Sequence, residues 1–360
     1  MELTLGERLR ELPGPILITG HTGFKGTWLT FLLERLNVPV IGLSLEPEKD
    51  SLFDRAKRTG VVPEAFIDIR EFHAISRFIS EHQPSAVIHM AAQPLVMESY
   101  KTPRETFETN VMGTANVLDA AFKTNSVEAV VVVTTDKVYR NDNSGQSFVE
   151  TDPLAGKDPY SASKVGTESV VAAWQQIAKI SGGPKVISVR AGNVIGGGDW
   201  AEDRLMPDLI RGLVSGGPIE IRNPRSTRPW QHVLDPLHGY LLGLEAILEG
   251  ADIKTVNFGP DGESMTVREV VEVATSIWPG EISVKFGNNS ETSAMEATNL
   301  HLDSSVAKEL LGWRPLWSQK DAVIATIQWW NQFLSKTRTA EDSSLFDINE
   351  LLRDKSISLK

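Results

Sequence analysis

The chain has 360 residues, with 36 lysines and arginines against 47 aspartates and glutamates, and its formal net charge is −11. This acidic balance argues against nucleic acid or an anionic membrane as a partner. The absence of cysteine excludes disulfides, thiolate metal sites and a cysteine nucleophile. We therefore expect no bound metal. The charged N-terminus has no apolar signal core, and no apolar stretch approaches the roughly 18 residues of a membrane span, so we predict a soluble, cytoplasmic protein.

Short β-branched runs alternate with longer segments of helical period, a pattern typical of a parallel sheet covered by helices. After about residue 194 the alternation weakens and Gly, Pro and Trp become frequent. The predicted strands are 16–19, 38–43, 86–89, 128–134 and 185–190. The predicted helices are 27–36, 71–82, 103–124 and 159–180.

These elements predict an α/β fold, with a Rossmann-type doubly wound parallel sheet and a smaller C-terminal α/β lobe that holds the substrate. We place the cofactor-binding domain at 1–193 and the substrate lobe at 194–336, with some exchange of chain between them. The polar segment 337–360 is expected to be a tail that is partly mobile or contacts a partner.

A glycine-rich segment, "ITGHTGFKGTWL", joins the first predicted strand to the first predicted helix. Glycine permits a tight turn, a close approach of backbone to a pyrophosphate and close packing of helix on strand, while the helix N-terminus offers free N–H groups. An ordinary strand-to-helix turn is the alternative reading. The position directly after a strand favours a dinucleotide site made of Gly20, Thr22, Gly23, Phe24, Lys25 and Gly26.

The end of the second strand helps to distinguish NAD from NADP. An acidic residue there would hold the adenosine ribose, but the sequence offers Ser44, with Glu46 two residues later. No arginine follows directly to receive a ribose phosphate, so NAD is favoured. Farther on, Asp68 and the adjoining Ile69 could contact the adenine, although Asp68 could equally be the N-cap of the next helix.

The segment "DPYSASK" places Tyr160 and Lys164 four residues apart, so both project from one face of a helix. A lysine ammonium near a phenol lowers the pKa of the phenol from about 10 toward neutrality, which lets it take a proton from a substrate hydroxyl. The alternative is a Tyr and a Lys on an ordinary amphipathic helix. Because the pair follows a nucleotide-type glycine loop, we interpret it as catalytic.

With the glycine loop, the tyrosine–lysine pair and the segment "HMAAQ" at 89–93, the sequence resembles the extended short-chain dehydrogenase/reductase superfamily over roughly residues 14–317. The resemblance implies a Rossmann domain that uses NAD and acts mainly on nucleotide sugars. It places Ala91, Ala92 and Gln93 along the cofactor and makes Asn110 a support of the site. It also implies a homodimer or higher homo-oligomer, formed through the helices 103–124 and 159–180.

The predicted strand 128–134 leads directly into Thr135, Asp136 and Lys137, at the strand end where reacting groups gather in an open α/β sheet. The resemblance implies a hydroxyl residue at this place in all members and, in dehydratases, an acid that protonates the leaving hydroxyl. Asp136 matches that acid. Most dehydratases follow it with glutamate, so Lys137 departs from their pattern and resembles CDP-glucose 4,6-dehydratases.

Two later segments, 190–212 and 221–244, are also similar to CDP-glucose 4,6-dehydratases. They supply the expected substrate-binding residues, among which the arginines suit a diphosphate but could equally form surface ion pairs. Met295 stands where the superfamily suggests a histidine. The expected substrate-binding residues are Asn193, Arg204, Arg228 and Gln231.

The resemblance implies conversion of CDP-glucose to CDP-4-keto-6-deoxyglucose and water through an internal redox cycle of NAD. Tyr160, with Lys164 and Thr135, would deprotonate the oxygen on sugar carbon 4, and Asp136 would protonate the hydroxyl leaving carbon 6. Lys137 would either remove the carbon 5 proton or stabilise the enolate. Two other functions stay open: an epimerase or reductase acting on another nucleotide sugar, and a non-catalytic NAD-binding sensor.

Overall fold

In the computed structural model, residues 5–142, 145–280, 282–287 and 300–353 are described. Met295 lies outside them. The strands are β1 (Ile16–Thr19), β2 (Val40–Ser44), β3 (Glu64–Phe66), β4 (Ala86–His89), β5 (Ala129–Val133), β6 (Ser147–Phe148), β7 (Lys185–Ala191), β8 (Val194–Ile195), β9 (Ile219–Ile221), β10 (Thr227–Arg228), β11 (Gln231–His232), β12 (Thr255–Phe258), β13 (Met265–Thr266), β14 (Val284–Phe286) and β15 (His301–Leu302).

The α-helices are α1 (Leu5–Arg10), α2 (Phe24–Arg35), α3 (Leu52–Arg55), α4 (Phe72–His82), α5 (Val96–Lys101), α6 (Pro103–Phe107), α7 (Gly113–Phe122), α8 (Pro159–Ser181), α9 (Leu205–Ser215), α10 (Leu234–Leu248), α11 (Val267–Ile277), α12 (Ser305–Leu310), α13 (Gln319–Leu334) and α14 (Ala340–Arg353). A π-helical turn, Glu108–Met112, joins α6 to α7, and a 3₁₀ turn, Asp136–Val138, follows β5. None of the described helices is both long and apolar enough to cross a membrane.

Seven parallel strands form the central sheet, in the order β12-β7-β5-β4-β1-β2-β3. The predicted α/β doubly wound fold and all five predicted strands are confirmed, with strand ends shifted by one or two residues. The sheet reverses its order between β1 and β4, which opens the crevice where such folds bind ligands.

The strands are apolar on both faces because helices cover both. In β5, Val131 and Val133 belong to one hydrophobic cluster, whereas Val130 and Val132 belong to the cluster on the opposite face. All five residues of β5 are buried. A strand between two helical layers therefore has no solvent face to mark with polar residues, which explains its unbroken run of β-branched side chains.

Three predicted elements differ from the structure. The helix expected at 103–124 is interrupted by the π-helical turn, which buries Asn110. Asp68 is not an N-cap, since α4 begins after Glu71. The segment expected to be a polar tail instead contains α14, which packs on α2 and α13 through buried residues that include Ile348 and Leu351. The composition of this segment is polar on average, so it did not indicate that α14 has an apolar face.

Chain from beyond residue 193 completes the central sheet. β12 pairs with β7 along four residues, and α10 packs against the sheet beside β7 and β5. The smaller pairings β8–β11, β9–β14 and β10–β13 lie within the second half of the chain, and β6 pairs with β15. The stretch after residue 193 therefore supplies both an edge strand of the central sheet and the small pairings outside it.

Candidate active site

In the glycine-rich loop between β1 and α2, Gly20 and Gly26 lie too close to other backbone atoms to carry a side chain. A Cβ at Gly26 would stand 2.1 Å from the carbonyl oxygen of Gly20, and one at Gly20, whose φ is +78°, would stand 2.8 Å from the nitrogen of Ala91. At the N-cap, Gly23 supplies no side-chain cap to α2, and a Cβ there would meet only the Gly20 oxygen, at 3.3 Å. The first N–H groups of α2 are thus open to a diphosphate, and the loop fits a dinucleotide.

The end of β2 is held to the glycine loop by hydroxyl groups. Thr22 Oγ1 lies 2.7 Å from Ser44 Oγ and donates to the carbonyl of Leu45 at 3.1 Å. Next to β3, the carboxylate of Asp68 accepts three bonds from the Arg70 side chain, at 2.6 to 3.1 Å. The hydrogen bonds from Arg70 hold the pKa of Asp68 below its usual value. Ile69 is buried beneath Gly113.

Hydrogen bonds of the Asn110 side chain connect the segment after β4 to α8. The Asn110 side chain accepts from the Gln93 nitrogen at 2.8 Å and donates to the Gln93 oxygen at 3.0 Å. It also donates to Ser163 Oγ on α8 at 2.8 Å. Ala91 and Ala92 begin this segment, where the Ala91 nitrogen donates to Thr19 Oγ1 at 3.2 Å. The buried asparagine of the π-helical turn therefore fixes the loop at the mouth of the crevice.

Tyr160 and Lys164 lie on the first turns of α8, buried against the end of β5. Asp158 caps the helix by accepting from the Ser161 nitrogen at 2.9 Å, and proline occupies the first helical position. Lys164 Nζ donates to the carbonyl of Val133 at 3.1 Å, and Tyr160 is hydrogen-bonded to Thr135. The structure thus brings the two residues of the predicted pair to the strand end that carries Thr135 and Asp136.

Burial governs the ionisation of this pair. It lowers the pKa of Lys164 to about 8, against the opposing effect of Glu168. It raises the pKa of Tyr160 to about 12, because burial disfavours the phenolate more than the Thr135 hydrogen bond favours it. In the chain by itself, the Tyr160 pKa therefore moves opposite to the direction predicted from the lysine four residues away.

Asp136 is a buried acid with a free oxygen. Thr135 donates to its Oδ1 at 3.0 Å, while Oδ2 has no hydrogen-bond partner among the described residues. Burial raises the pKa of Asp136, although Lys137, the Thr135 hydroxyl, Arg228 and Lys25 all act in the opposite direction. A carboxyl group that stays protonated can deliver a proton to a leaving hydroxyl.

A residue that the sequence reasoning missed makes room for this acid. Gly192 follows β7 directly, and a Cβ there would stand 1.7 Å from Asp136 Oδ2. No residue other than glycine leaves the carboxyl group where it is. The glycine in "RAGN" was a visible signal, but its partner lies in the 3₁₀ turn after β5, far away in the sequence.

Lys25 reaches from the glycine loop into the same site. Its Nζ donates to the hydroxyl of buried Tyr240 at 3.2 Å. Burial lowers the pKa of Lys25 to about 7, with smaller effects from the nearby cations Arg204 and Lys164, while Asp136 raises it. The side chain expected to bind cofactor therefore stands within electrostatic reach of Asp136, the predicted acid. Tyr240 is a second residue that the sequence did not reveal.

The four predicted substrate-binding residues differ in their surroundings. Asn193 adopts a φ of 44°, in the left-handed region that asparagine tolerates. Gln231 is buried, and its amide nitrogen donates to the carbonyls of Gly192 and Phe258 at 2.9 and 3.0 Å, which leaves only its oxygen for a ligand. Its contacts fix the end of β7, so the structure gives it a supporting position.

The two predicted arginines lie close enough to the predicted catalytic residues to act on their charges. Arg204 is 35% exposed at the side chain and forms an ion pair with Asp199 at 3.1 Å, while its charge acts on Tyr160 and Lys25. Arg228 donates to the carbonyl of Thr227 at 2.8 Å and acts on Asp136. Among the residues that the structure describes, no group of acidic and histidine side chains could hold a metal ion.

Comparison with known proteins agrees with this geometry. A model of the NAD dependent epimerase/dehydratase family matches residues 16–259. A CDP-glucose 4,6-dehydratase of Salmonella typhimurium is 40% identical over 323 residues, covering 87% of this chain and 89% of the relative. A dTDP-glucose 4,6-dehydratase of Escherichia coli is 27% identical over 91% of this chain and 94% of its own length.

A solved structure has a similar fold over most of this chain. DesIV, a dTDP-glucose 4,6-dehydratase from Streptomyces venezuelae solved with NAD bound, superposes with a TM-score of 0.73 at 25% identity, over 88% of this chain and 97% of that one. The family match covers more than half of the sequence and includes the glycine loop, the end of β5 and the tyrosine–lysine pair. The chain belongs to the NAD dependent epimerase/dehydratase family.

Proposed function

We propose that the protein is a nucleotide-sugar 4,6-dehydratase that converts CDP-glucose to CDP-4-keto-6-deoxyglucose and water. The observation that carries the proposal is Asp136, a buried acid with one unpartnered oxygen beside Thr135 and Tyr160. An epimerase or reductase has no task for such an acid. The preference for CDP rests on the 40% identical relative from Salmonella typhimurium.

The cofactor is NAD, which matches the family description and the glycine loop. When bound, it supplies a positively charged ring that accepts a hydride from the sugar and later returns it. The open N–H groups of α2 would hold its diphosphate, and Thr22 and Ser44 would contact its adenosine. Tyr160 and Lys164 lie at the carboxyl ends of the strands, where folds of this kind bind the reacting groups.

The first half of the reaction is the oxidation of sugar carbon 4. Tyr160 takes the proton from the oxygen on carbon 4, and the Thr135 hydroxyl stabilises the phenolate by its hydrogen bond. Lys164, held by the carbonyl of Val133 one helical turn after Tyr160, supplies positive charge to the site. These residues and the positive ring of the bound cofactor would offset the burial that otherwise keeps Tyr160 protonated.

The second half removes water across carbons 5 and 6. The new ketone acidifies the proton on carbon 5. Lys137 is the candidate base that removes this proton, and electrostatic stabilisation of the enolate is its alternative role. Asp136 gives its proton to the oxygen on carbon 6 as the carbon–oxygen bond breaks, so water leaves. We assign Arg204 and Arg228 to the substrate diphosphate, and Asn193 to the sugar or a phosphate.

We also propose a homodimer formed through the segment 103–122 and α8. Apolar side chains are exposed along these helices, with Phe107 at 41%, Met112 at 57% and Ile177 at 41%. Burial of such a face between two copies is the ordinary reason for its composition. Sedimentation of the purified protein tests this assembly, and a monomer at micromolar concentration would contradict it.

The test of the function is mass spectrometry of the product. Purified protein with NAD is offered CDP-glucose, dTDP-glucose, UDP-N-acetylglucosamine and GDP-mannose in parallel. We expect CDP-glucose alone to lose one water, and Tyr160→Phe to abolish all conversion. Water loss from a different sugar would keep the mechanism and refute the substrate. Conversion without water loss would favour an epimerase or reductase, and a cellular activity unaffected by Tyr160→Phe would favour a sensor.

A further inference from the structure

Behind the catalytic residues lies an ion pair that the mechanism does not use. Glu168 on α8 and Arg190 on β7 are buried, with side chains 6% and 4% exposed. Arg190 donates from Nε to one carboxylate oxygen at 2.8 Å and from an η nitrogen to the other at 3.0 Å. This two-point geometry fixes the orientation of both groups, since each charge in a buried pair needs its partner.

The acidic member of the pair holds the start of the catalytic segment. Thr134 donates its hydroxyl to Glu168 Oε1 at 2.5 Å, and Ser188 donates to Oε2 at 2.9 Å. Thr134 directly precedes Thr135 and is also fixed by its backbone nitrogen, which donates to the carbonyl of Val189 at 2.8 Å. Thr134, the residue directly before the segment Thr135–Lys137, is therefore held in place by Glu168.

The basic member holds the other end. Arg190 donates to the hydroxyl of Tyr139 at 2.7 Å and stacks over its ring at 4.9 Å. Tyr139 in turn donates to Asn257 on β12 at 2.7 Å. Since Tyr139 lies two residues beyond Lys137, the 3₁₀ turn that carries Asp136 and Lys137 is held on both sides by one ion pair.

The same pair is connected to the rest of the site through its backbone positions. Glu168 follows Lys164 by one helical turn and Tyr160 by two, so all three lie along one face of α8. Arg190 is two residues before Gly192, the glycine that leaves space for the Asp136 carboxyl group.

We propose that Glu168 and Arg190 are positioning residues that hold the elimination group, Asp136 and Lys137, in register with the oxidation group, Tyr160 and Lys164. This inference rests on the proposed dehydratase function. Tyr160 and Lys164 lie on α8 itself, so the helix keeps them in place when the pair is broken. Thr135, which binds Tyr160, lies in the segment held by the pair, and the charge of Glu168 acts on Lys164, so we expect oxidation to fall as well, but less than water loss. The elimination group is held in place through Thr134 and Tyr139, so it moves. A misplacement of about 1 Å can cost on the order of 100-fold in rate.

The experiment follows both halves of the reaction in Glu168→Gln. The quenched reaction with CDP-glucose and NAD is analysed by mass spectrometry for the sugar that is oxidised but still hydrated, and for the final product. We expect a fall in kcat for water loss of about 10- to 100-fold, an unchanged KM, and accumulation of the oxidised, hydrated sugar. A matched control is Glu249→Gln, which breaks the exposed ion pair with Arg8.

A second pair of variants keeps the ion pair intact. Thr134→Val removes the hydroxyl that binds Glu168 without removing a charge, and Thr134→Ser keeps that hydroxyl. We expect Thr134→Val to accumulate the oxidised sugar and Thr134→Ser to restore the normal ratio. If Glu168→Gln does not fold, this pair decides the matter.

The outcomes separate the inference from the proposed function. Absence of water loss in the unaltered protein refutes the function itself. Normal water loss with no accumulation of oxidised sugar in Glu168→Gln or Thr134→Val refutes the positioning role alone. An equal fall of oxidation and water loss in a folded variant also refutes it, because loss of general stability would affect both halves alike.

Discussion

Replacing Gly192 by alanine tests the geometry of the catalytic acid with a single methyl group. The added Cβ would stand 1.7 Å from Oδ2 and 2.1 Å from Cγ of Asp136. Gly192 is not among the residues with positive φ, so alanine can adopt its backbone conformation and the effect is confined to the contact. The carboxyl group must retreat until the contact reaches at least about 3 Å, a movement on the order of 1 Å.

A displacement of that size predicts a fall in the rate of water loss of about 100-fold, or about 2.7 kcal/mol in the activation barrier. The assay is product mass spectrometry with CDP-glucose and NAD, with the oxidised sugar measured alongside. We expect oxidation of carbon 4 to continue, since the three atoms nearest to the new Cβ all belong to Asp136. Gly243→Ala is the matched control, because its Cβ would make only an ordinary contact of 3.7 Å with Ile187.

The double variant decides whether the effect acts through Asp136. Asp136→Asn removes the acid, so adding Gly192→Ala should cost little more, and the two effects should not sum. A normal rate of water loss in Gly192→Ala would refute the reasoning. So would full additivity in the double variant, because the methyl group would then be acting on some other part of the site.

Three further predictions concern Lys137, Lys25 and the packing of Gly197. Lys137→Ala should abolish entry of solvent deuterium at carbon 5 while oxidation at carbon 4 continues, and Lys137→Arg should likewise show no deuterium entry. Deuterium entry retained in Lys137→Ala would favour an electrostatic role for Lys137. Burial lowers the folded-state pKa of Lys25 to about 7, so the unfolded chain binds the extra proton up to about pH 10. Without cofactor, Lys25→Met should therefore raise the melting temperature most below pH 7, with the gain fading as pH rises toward 10, and a gain independent of pH would contradict this. In Gly197→Ala the new Cβ would stand 2.0 Å from the Trp329 ring. Urea unfolding should show a free energy of unfolding lower by about 1 to 3 kcal/mol than in the Gly243→Ala control. An unchanged free energy of unfolding would contradict the packing argument.

Local patterns in the sequence determined the elements and the main catalytic pair. The β-branched runs predicted the five strands within one or two residues, because a strand that is buried on both faces is apolar along its whole length. The glycines after β1 and the four-residue spacing of Tyr160 and Lys164 are equally local, since one turn or one helix carries each of them. Thr135 and Asp136 could be placed because they end a recognisable strand.

The tertiary structure decided everything that depends on contacts between distant segments. Gly192 and Asp136 come together because β7 and β5 are neighbours in the sheet. Lys25 contacts Tyr240, which is 215 positions away in the sequence, and the apolar face of α14 is buried by packing on α2. The direction of the Tyr160 pKa was decided in the same way. A neighbouring lysine is visible in the sequence, but the burial that outweighs the stabilisation of the phenolate is a property of the folded chain.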